Sequence, residues 1–153
     1  MQNKFRGVMQ SPVTPLKDDF SLDLPTFEKL LDFHVRTGAP AISWPHHKAE
    51  SLNLTIAERK LFAEAAVKTV NGRVPVTIHV SALAVEDTFE LAAHAQRIGA
   101  DGILAITPYF WNPAREISRN FSLLKLASLT PTKLGSRSIR RAINSPVIST
   151  PAR

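Results

Sequence analysis

Short, unbroken apolar runs recur along the first two-thirds of the chain and begin near residues 8, 41, 75 and 102. Between them, apolar residues repeat every three or four positions, which is the spacing of a helix with one buried face. A period of about thirty residues is the length of one strand-plus-helix unit. Because the runs do not alternate strictly with polar residues, both faces of each strand should be covered, as in a parallel sheet. The pattern predicts an α/β fold of four units, in an open doubly wound sheet or in the first half of a (β/α)₈ barrel.

Capping signals locate the helices between these runs. Asp23 predicts the start of the first helix, and Thr55 with Glu58 has capping-box spacing, which predicts a second helix to about residue 70. A third helix is expected over residues 85–98. The residues expected on the inner faces are Phe27, Leu30, Leu31, His34, Leu61, Phe62, Ala65, Ala66, Val70, Phe89, Ala92, Ala93 and Gln96.

The periodicity stops near residue 126, and the remaining chain is rich in Ser, Thr, Pro and Arg. Residues 119–153 hold 7 of the 19 Lys and Arg residues and none of the 13 acids, so the net charge of +6 belongs to this end. We therefore expect one domain over residues 1–122. Residues 123–153 should form an irregular, disordered basic tail that is not homologous to the proteins that the domain resembles. Such a tail attracts polyanions without specificity, and it lacks the aromatic residues of a specific nucleic-acid site.

Composition excludes several kinds of chemistry. The chain has no cysteine, which rules out disulfides, thiolate metal sites and a cysteine nucleophile. No strand is followed by a glycine-rich nucleotide-binding motif, so we expect no nucleotide cofactor. No stretch approaches the roughly 18 apolar residues of a membrane span, and the first ten residues have no signal-peptide core. A cytoplasmic protein with no cofactor is the expectation.

The densest group of reactive side chains follows the second apolar run. Residues 46–50, HHKAE, bring two imidazoles, an ammonium and a carboxylate to a turn after a strand end. In parallel α/β folds such turns converge at one edge of the sheet, where active sites form, although a charged, solvated loop has the same composition. His46, His47 and His79 could also be metal ligands, but they match no zinc-binding spacing, so we expect no metal site.

Several short motifs resemble one enzyme family in the right order. They are VTPL at 13–16, LTIAER at 54–59, GRVPV at 72–76 and GADGILAITPYF at 99–110. Over residues 5–122 the chain resembles the amino-terminal half of the dihydrodipicolinate synthase / N-acetylneuraminate lyase family. The resemblance implies an incomplete (β/α)₈ barrel and an activity on pyruvate or another 2-oxo acid, bound as a Schiff base to a lysine.

The resemblance also implies roles for particular positions. The family's Gly-Thr-Thr-Gly-Glu loop falls on residues 46–50, where only the glutamate is kept. His47 then takes the catalytic position of a proton-relay threonine, and Phe110 takes that of a relay tyrosine without its hydroxyl. Lys48 and Ala49 take substrate-binding positions, and Lys48 would pair with the substrate carboxylate. These departures disfavour dihydrodipicolinate synthase itself and favour a different aldolase, lyase or hydratase.

Two further family residues have no counterpart in this sequence. The Schiff-base lysine of the sixth strand and the tyrosine of the fifth lie beyond the point where the resemblance ends, and Lys125 and Lys133 fall in the irregular stretch. We expect a truncated, homo-oligomeric member of the family that is inactive alone. The alternative is a non-catalytic interaction or oligomerising fragment with a basic tail.

Overall fold

The structure is a computed structural model, and it describes Phe5 and residues 7–106. The sequence also predicts a helix that begins at residue 115. This helix, Phe110 and the basic tail lie outside the described residues. In chain order the elements are α1 (Leu24–Arg36), β1 (Ile42–Trp44), a 3₁₀ turn (His47–Ala49), α2 (Ile56–Val70), β2 (Val76–His79), α3 (Val85–Arg97) and β3 (Gly102–Leu104). None of the helices within this part of the chain is long and apolar enough to cross a bilayer.

The three strands form one parallel sheet in the order β1-β2-β3, so that chain order and spatial order agree. Ser43 lies opposite Thr77 in the first pair, and Ile78 lies opposite Ile103 in the second. Each connection between neighbouring strands contains a helix, as parallel pairing requires. Every residue of β1 and β2 is buried, which confirms the prediction of parallel strands covered on both faces.

The predicted strand near residue 8 is reduced to a single bridge. Gln10 pairs in parallel with Ile42, and its N–H donates to Ala41 O at 2.9 Å while its C=O accepts from Ser43 N at 2.8 Å. Pro12 follows two residues later and has no N–H to continue a ladder. Among the described residues the sheet therefore has three strands and one bridge to β1, and the prediction of four units stays unconfirmed.

Local capping explains where the helices begin. The Asp23 carboxylate accepts from Thr26 N at 3.0 Å at the start of α1. At the start of α2, Thr55 Oγ1 accepts from Glu58 N at 3.2 Å and Glu58 Oε2 accepts from Thr55 N at 2.7 Å. Both predicted starts, and the capping box, are confirmed. The third helix begins after Ala84 without a side-chain cap.

Three large rings fill the space between β1 and the first two helices. Trp44, Phe27 and Phe62 are each fully buried. The Phe27 ring centroid lies 5.4 Å from that of Trp44 and 4.7 Å from that of Phe62, and the Trp44 and Phe62 rings stack at 5.5 Å. Aromatic contacts at these separations add to the stabilisation from apolar burial.

The predicted helix faces are confirmed only in part. On α1, Phe27 and Leu31 are buried, whereas Leu30 and His34 are half-buried. On α2, Leu61 is 48% exposed while Ala63 is buried. On α3 the buried residues are Leu91, Ala92, His94 and Ala95, and the expected residues Phe89, Ala93 and Gln96 are only half-buried. Small apolar residues surround α2 on most sides, so spacing alone does not define its rotation. The rotation of α3 is set by its packing on α2 and β3.

Candidate functional site

A polar turn leaves the carboxyl end of β1 beside that of β2. The Trp44–Pro45 peptide bond is cis, and His46 then begins the 3₁₀ turn, its C=O accepting from Ala49 N at 2.9 Å. Thr14 Oγ1 donates to Ala49 O at 2.8 Å, which holds the turn against the VTPL segment. Because β1 and β2 are parallel neighbours, this turn and the end of β2 meet at one edge of the sheet.

Three imidazoles come together at this edge. The rings of His46 and His79 stack with centroids 5.5 Å apart and planes inclined by 18°. The ring of His47 meets His79 edge-on at 6.0 Å. His79 itself is 1% exposed, and its Nδ1 has no hydrogen-bond partner among the described residues. Within this same part of the chain, no group of three or more His, Asp or Glu side chains is arranged to hold a metal ion.

A chain of hydroxyl groups leads from the interior to His46. Ser43 Oγ lies 2.7 Å from His46 Nε2, and Thr77 Oγ1 donates to Ser43 Oγ at 2.7 Å. Both hydroxyl residues are buried. Sequence reasoning missed this chain, although a small polar residue inside each of two apolar strands was a signal for it.

A buried guanidinium lies beneath the end of β2. Arg59, from the LTIAER motif, is 2% exposed. Its Nη2 donates to His79 O at 2.6 Å and its Nη1 donates to Ser81 O at 2.9 Å. Ser81 Oγ in turn accepts from Ile106 N at 2.8 Å, just after β3. Arg59 thus joins α2 to the strand ends that form the edge of the site.

The environment keeps two of the imidazoles neutral. Burial lowers the pKa of His79 to about 4, and the positive charge of Arg59 acts in the same direction. A hydrogen bond with the Pro45 backbone raises the pKa of His79, but by less than burial and Arg59 lower it. Burial also lowers the pKa of His46, with smaller contributions from His47 and Lys48. Both rings are therefore uncharged at neutral pH, where they can accept or donate hydrogen bonds.

The residues expected to act occupy different positions in the turn. His47 and Lys48 are exposed. Ala49 is fully buried, its N–H donates to His46 O and its C=O accepts from Thr14. The turn therefore presents the side chains of His47 and Lys48, whereas Ala49 fixes its shape. Phe110 is outside the described residues, and the roles of all four positions stay predictions.

Glu50, the residue shared with the family loop, ends the turn in the left-handed conformation with φ 58°. Its side chain is exposed, and Oε2 accepts from Asn53 Nδ2 at 3.2 Å. Its C=O also accepts from Asn53 N at 2.8 Å. These contacts lead the chain from the turn toward the capped start of α2.

Comparison with known proteins gives a consistent result. The Dihydrodipicolinate synthetase family model matches residues 4–122. The 4-hydroxy-tetrahydrodipicolinate synthase of Teredinibacter turnerae is 38% identical over 112 residues, 73% of this chain and 38% of that protein. The probable 2-dehydro-3-deoxy-D-pentonate aldolase YjhH of Escherichia coli (strain K12) is 36% identical over 111 residues, 72% of this chain and 37% of that protein.

The fold has the same relatives. YagE, a prophage protein of the dihydrodipicolinic acid synthase family from E. coli K12 solved in complex with pyruvate, superimposes with a TM-score of 0.77 at 31% identity. The match covers 82% of this chain and 42% of YagE. This chain therefore spans about two-fifths of the length of the proteins it resembles. The parallel βα units, the ordered motifs and these matches together show that the chain belongs to the dihydrodipicolinate synthetase family of lyases and aldolases.

Proposed function

We propose that the turn at residues 46–50 is part of the binding site for a 2-oxo acid, in a lyase or aldolase that works through a Schiff base. The observation that carries this proposal is the exposed pair His47 and Lys48 at the carboxyl end of β1. Lys48 supplies a positive charge for the substrate carboxylate. His47 supplies an imidazole, the side chain best suited to acid–base chemistry near neutral pH.

The charge around the pair supports an anionic substrate. His46 and His79 are neutral, so they add no charge of their own, and the buried Arg59 lies behind His79. A carboxylate bound near Lys48 would be attracted by its ammonium group, with Arg59 as a second, buried positive charge behind His79. Pyruvate, which is bound by the related YagE, is the simplest ligand with this chemistry.

We propose that the 153 residues do not turn over substrate by themselves. A Schiff base forms when a neutral amine attacks the ketone and water leaves, which requires a lysine kept uncharged in a shaped pocket. Lys48 is exposed, and the family's lysine and strand-five tyrosine have no counterpart in the sequence. Phe110, at the relay-tyrosine position, has no hydroxyl to pass a proton. The reaction of the full catalytic unit is then an aldol cleavage or condensation, or a related hydratase step, other than dihydrodipicolinate synthesis.

Pyruvate binding tests the proposed 2-oxo acid site, and trapping of pyruvate with borohydride tests the proposed lack of turnover. We expect ¹H–¹⁵N spectra of the 153-residue chain to show weak, saturable pyruvate binding at the turn. Lys48→Met should weaken it about tenfold, the loss of one charge-assisted hydrogen bond. Lys68→Met, an exposed lysine on α2, is the matched control and should leave binding unchanged. Equal effects of the two variants would contradict a carboxylate site at Lys48.

Borohydride reduction with pyruvate, followed by intact mass, tests the missing amine. We expect no stable adduct with the 153-residue chain. An adduct that disappears in Lys48→Met but persists in Lys68→Met would show that Lys48 is itself an activated amine. Such a result would overturn the proposed inactivity while supporting the 2-oxo acid site.

We also propose that the chain self-associates. The three parallel strands of residues 7–106 do not by themselves close a barrel, and an open sheet edge pairs readily with other chains. Several apolar side chains of the segment before α1 are exposed, among them Val8 at 74% and Phe20 at 84%. Light scattering after size exclusion should give a mass of at least twice 16.9 kDa; a monodisperse monomer at high concentration would contradict it.

A further inference from the structure

The hydroxyl chain behind His46 has a preferred direction. Thr77 Oγ1 donates to Ser43 Oγ at 2.7 Å, which uses an acceptor position of Ser43 and leaves its own hydrogen to be donated. The neighbouring acceptor is His46 Nε2, also at 2.7 Å. A neutral imidazole carries one N–H, so a ring that accepts at Nε2 carries its hydrogen at Nδ1.

Donation in the opposite direction, from His46 to Ser43, leaves a hydroxyl hydrogen without a good acceptor. If His46 Nε2–H donated to Ser43, the Ser43 oxygen could accept from His46 and Thr77 together, because a hydroxyl oxygen has two acceptor positions. The Ser43 hydrogen would then have no acceptor among the described residues, unless the Thr77 hydroxyl turned to Ile42 O at 3.4 Å, which is long for an O–H···O hydrogen bond. A protonated ring also donates at Nε2 and meets the same loss, so the buried chain favours the neutral ring with hydrogen on Nδ1.

The groups around His46 favour the same state. The ring stacks on His79, which comes from β2 and is neutral at physiological pH. The other titratable groups of its own turn are His47, Lys48 and the exposed Glu50, and Arg59 of α2 reaches the end of β2. Of these, His47 and Lys48 disfavour a positive charge on His46.

We propose that His46 is a hydrogen-bond donor, held with its hydrogen on Nδ1 by Ser43 and Thr77, and that Nδ1–H binds an oxygen of the 2-oxo acid. The choice of ligand rests on the proposed function, whereas the tautomer rests on the hydroxyl chain alone. Ser43 and Thr77 are positioning residues that never touch the substrate. Two adjacent imidazoles then have separate tasks: His46 orients an oxygen, and His47 exchanges protons.

Imidazole ¹⁵N spectra of the histidine-labelled 153-residue chain test the tautomer directly. The His46 signals are assigned by their loss in His46→Gln. We expect the hydrogen on Nδ1 at pH 7, and a ring that is still mostly unprotonated at about pH 6.5, the ordinary pKa of histidine. A His46 ring with its hydrogen on Nε2, or one already half-protonated at about pH 6.5, would overturn the proposal without any reference to activity.

Variants of the hydroxyl chain test its cause. Ser43→Ala should give a mixture of tautomers and raise the titration midpoint of His46 by about one pH unit, since its fixed donor is lost. Thr77→Val breaks the chain one bond further away and should have a smaller effect of the same sign. Ser51→Ala is the matched control, because Ser51 is equally buried but its hydroxyl has no partner among the described residues. A wild-type tautomer in both chain variants would show that Ser43 and Thr77 do not position the ring.

Pyruvate then tests the ligand role in the same spectra. We expect the Nδ1–H signal of His46 to shift on saturation, and this shift should persist in His47→Gln. If pyruvate perturbs His47 and Lys48 but not His46, the ligand role fails while the proposed function stands. If no residue of the turn responds to pyruvate, the proposed function fails and the ligand role fails with it, whereas the tautomer is decided by the spectra without ligand.

Discussion

The two faces of the small sheet are both buried, yet they differ in chemistry. Successive side chains of a strand point to opposite faces. The face covered by helices carries Ile42, Trp44, Val76 and Ile78, which belong to the apolar core. The opposite face carries Ser43, Thr77 and His79, which are also buried. The first face can be stabilised by apolar burial alone, whereas each polar group on the second needs a hydrogen-bond partner.

In the same strands, one face contributes mainly to stability and the other contributes the polar contacts of the candidate site. The aromatic cluster on the helical face holds β1 in place through non-directional packing. The polar face gives directional contacts that orient His46 and bring His79 beneath it. Substitutions on the helical face should therefore act on folding as a whole, and substitutions on the polar face should act on titration and ligand contact.

The largest expected effect is on the helical face. Phe62→Ala removes a fully buried ring from between Phe27 and Trp44. It should lower the free energy of unfolding by about 3–5 kcal/mol, the usual range for a buried aromatic residue. Urea denaturation followed by circular dichroism measures this loss of stability. A variant that is already unfolded without urea would show the largest loss.

The neighbouring residue provides the control. Leu61→Ala, in the same helix but 48% exposed, should change the stability by about 1 kcal/mol or less. Comparable losses in the two variants would mean that the core does not lie where the aromatic cluster places it.

The next effect is the pH dependence of the polar face. His79 has a pKa of about 4 in the folded chain and about 6.5 when unfolded. Between these values the unfolded chain binds more protons, so stability is complete above about pH 6.5 and falls as the pH drops toward 4. The shift corresponds to a loss of up to about 3 kcal/mol.

Carboxylates also titrate at about pH 4. The contribution of His79 to the pH dependence of stability is therefore isolated by comparing variants. The loss of stability from pH 7 to pH 5 should be clearly smaller in His79→Leu than in the wild type, because this site no longer takes up a proton on unfolding. An unchanged slope in His79→Leu would contradict the neutral buried imidazole.

A smaller effect is expected at the hydroxyl chain. Ser43→Ala leaves the Thr77 hydroxyl with only the 3.4 Å contact to Ile42 O and removes the donor to His46. The expected cost is about 1–2 kcal/mol, typical of a buried hydrogen bond whose partners remain. Chemical denaturation at pH 7 measures it, and a neutral result would mean that water or a rearranged partner replaces the serine.

The helix starts and the turn after β1 could be predicted because their signals are local. Asp23 caps a helix through a residue three positions away, and the Thr55 and Glu58 pair does the same. The turn at residues 46–50 was identified because it follows an apolar run. Such signals need no knowledge of which strands are neighbours.

The contacts within the site could not be predicted because they depend on strand register. Ser43 and Thr77 are 34 residues apart and meet only because β1 and β2 pair without a shift at this position. Sequence spacing likewise gave no reason to stack His46 on His79. The rotation of α3 was wrong for the same reason, since distant contacts rather than its own pattern select the buried side.

The smallest expected effect is at Ser51, and it tests whether buried hydroxyl groups are needed for stability. Ser51 is 1% exposed, and its hydroxyl has no hydrogen-bond partner among the described residues, unlike that of Ser43. Ser51→Ala removes a buried polar group that forms no bond, so stability at pH 7 should stay within about 0.5 kcal/mol or rise. The same chemical change at Ser43 should be costly. If both substitutions were neutral, the buried hydroxyls would be tolerated rather than required for stability, and the His46 tautomer in Ser43→Ala would decide whether the serine still orients the ring.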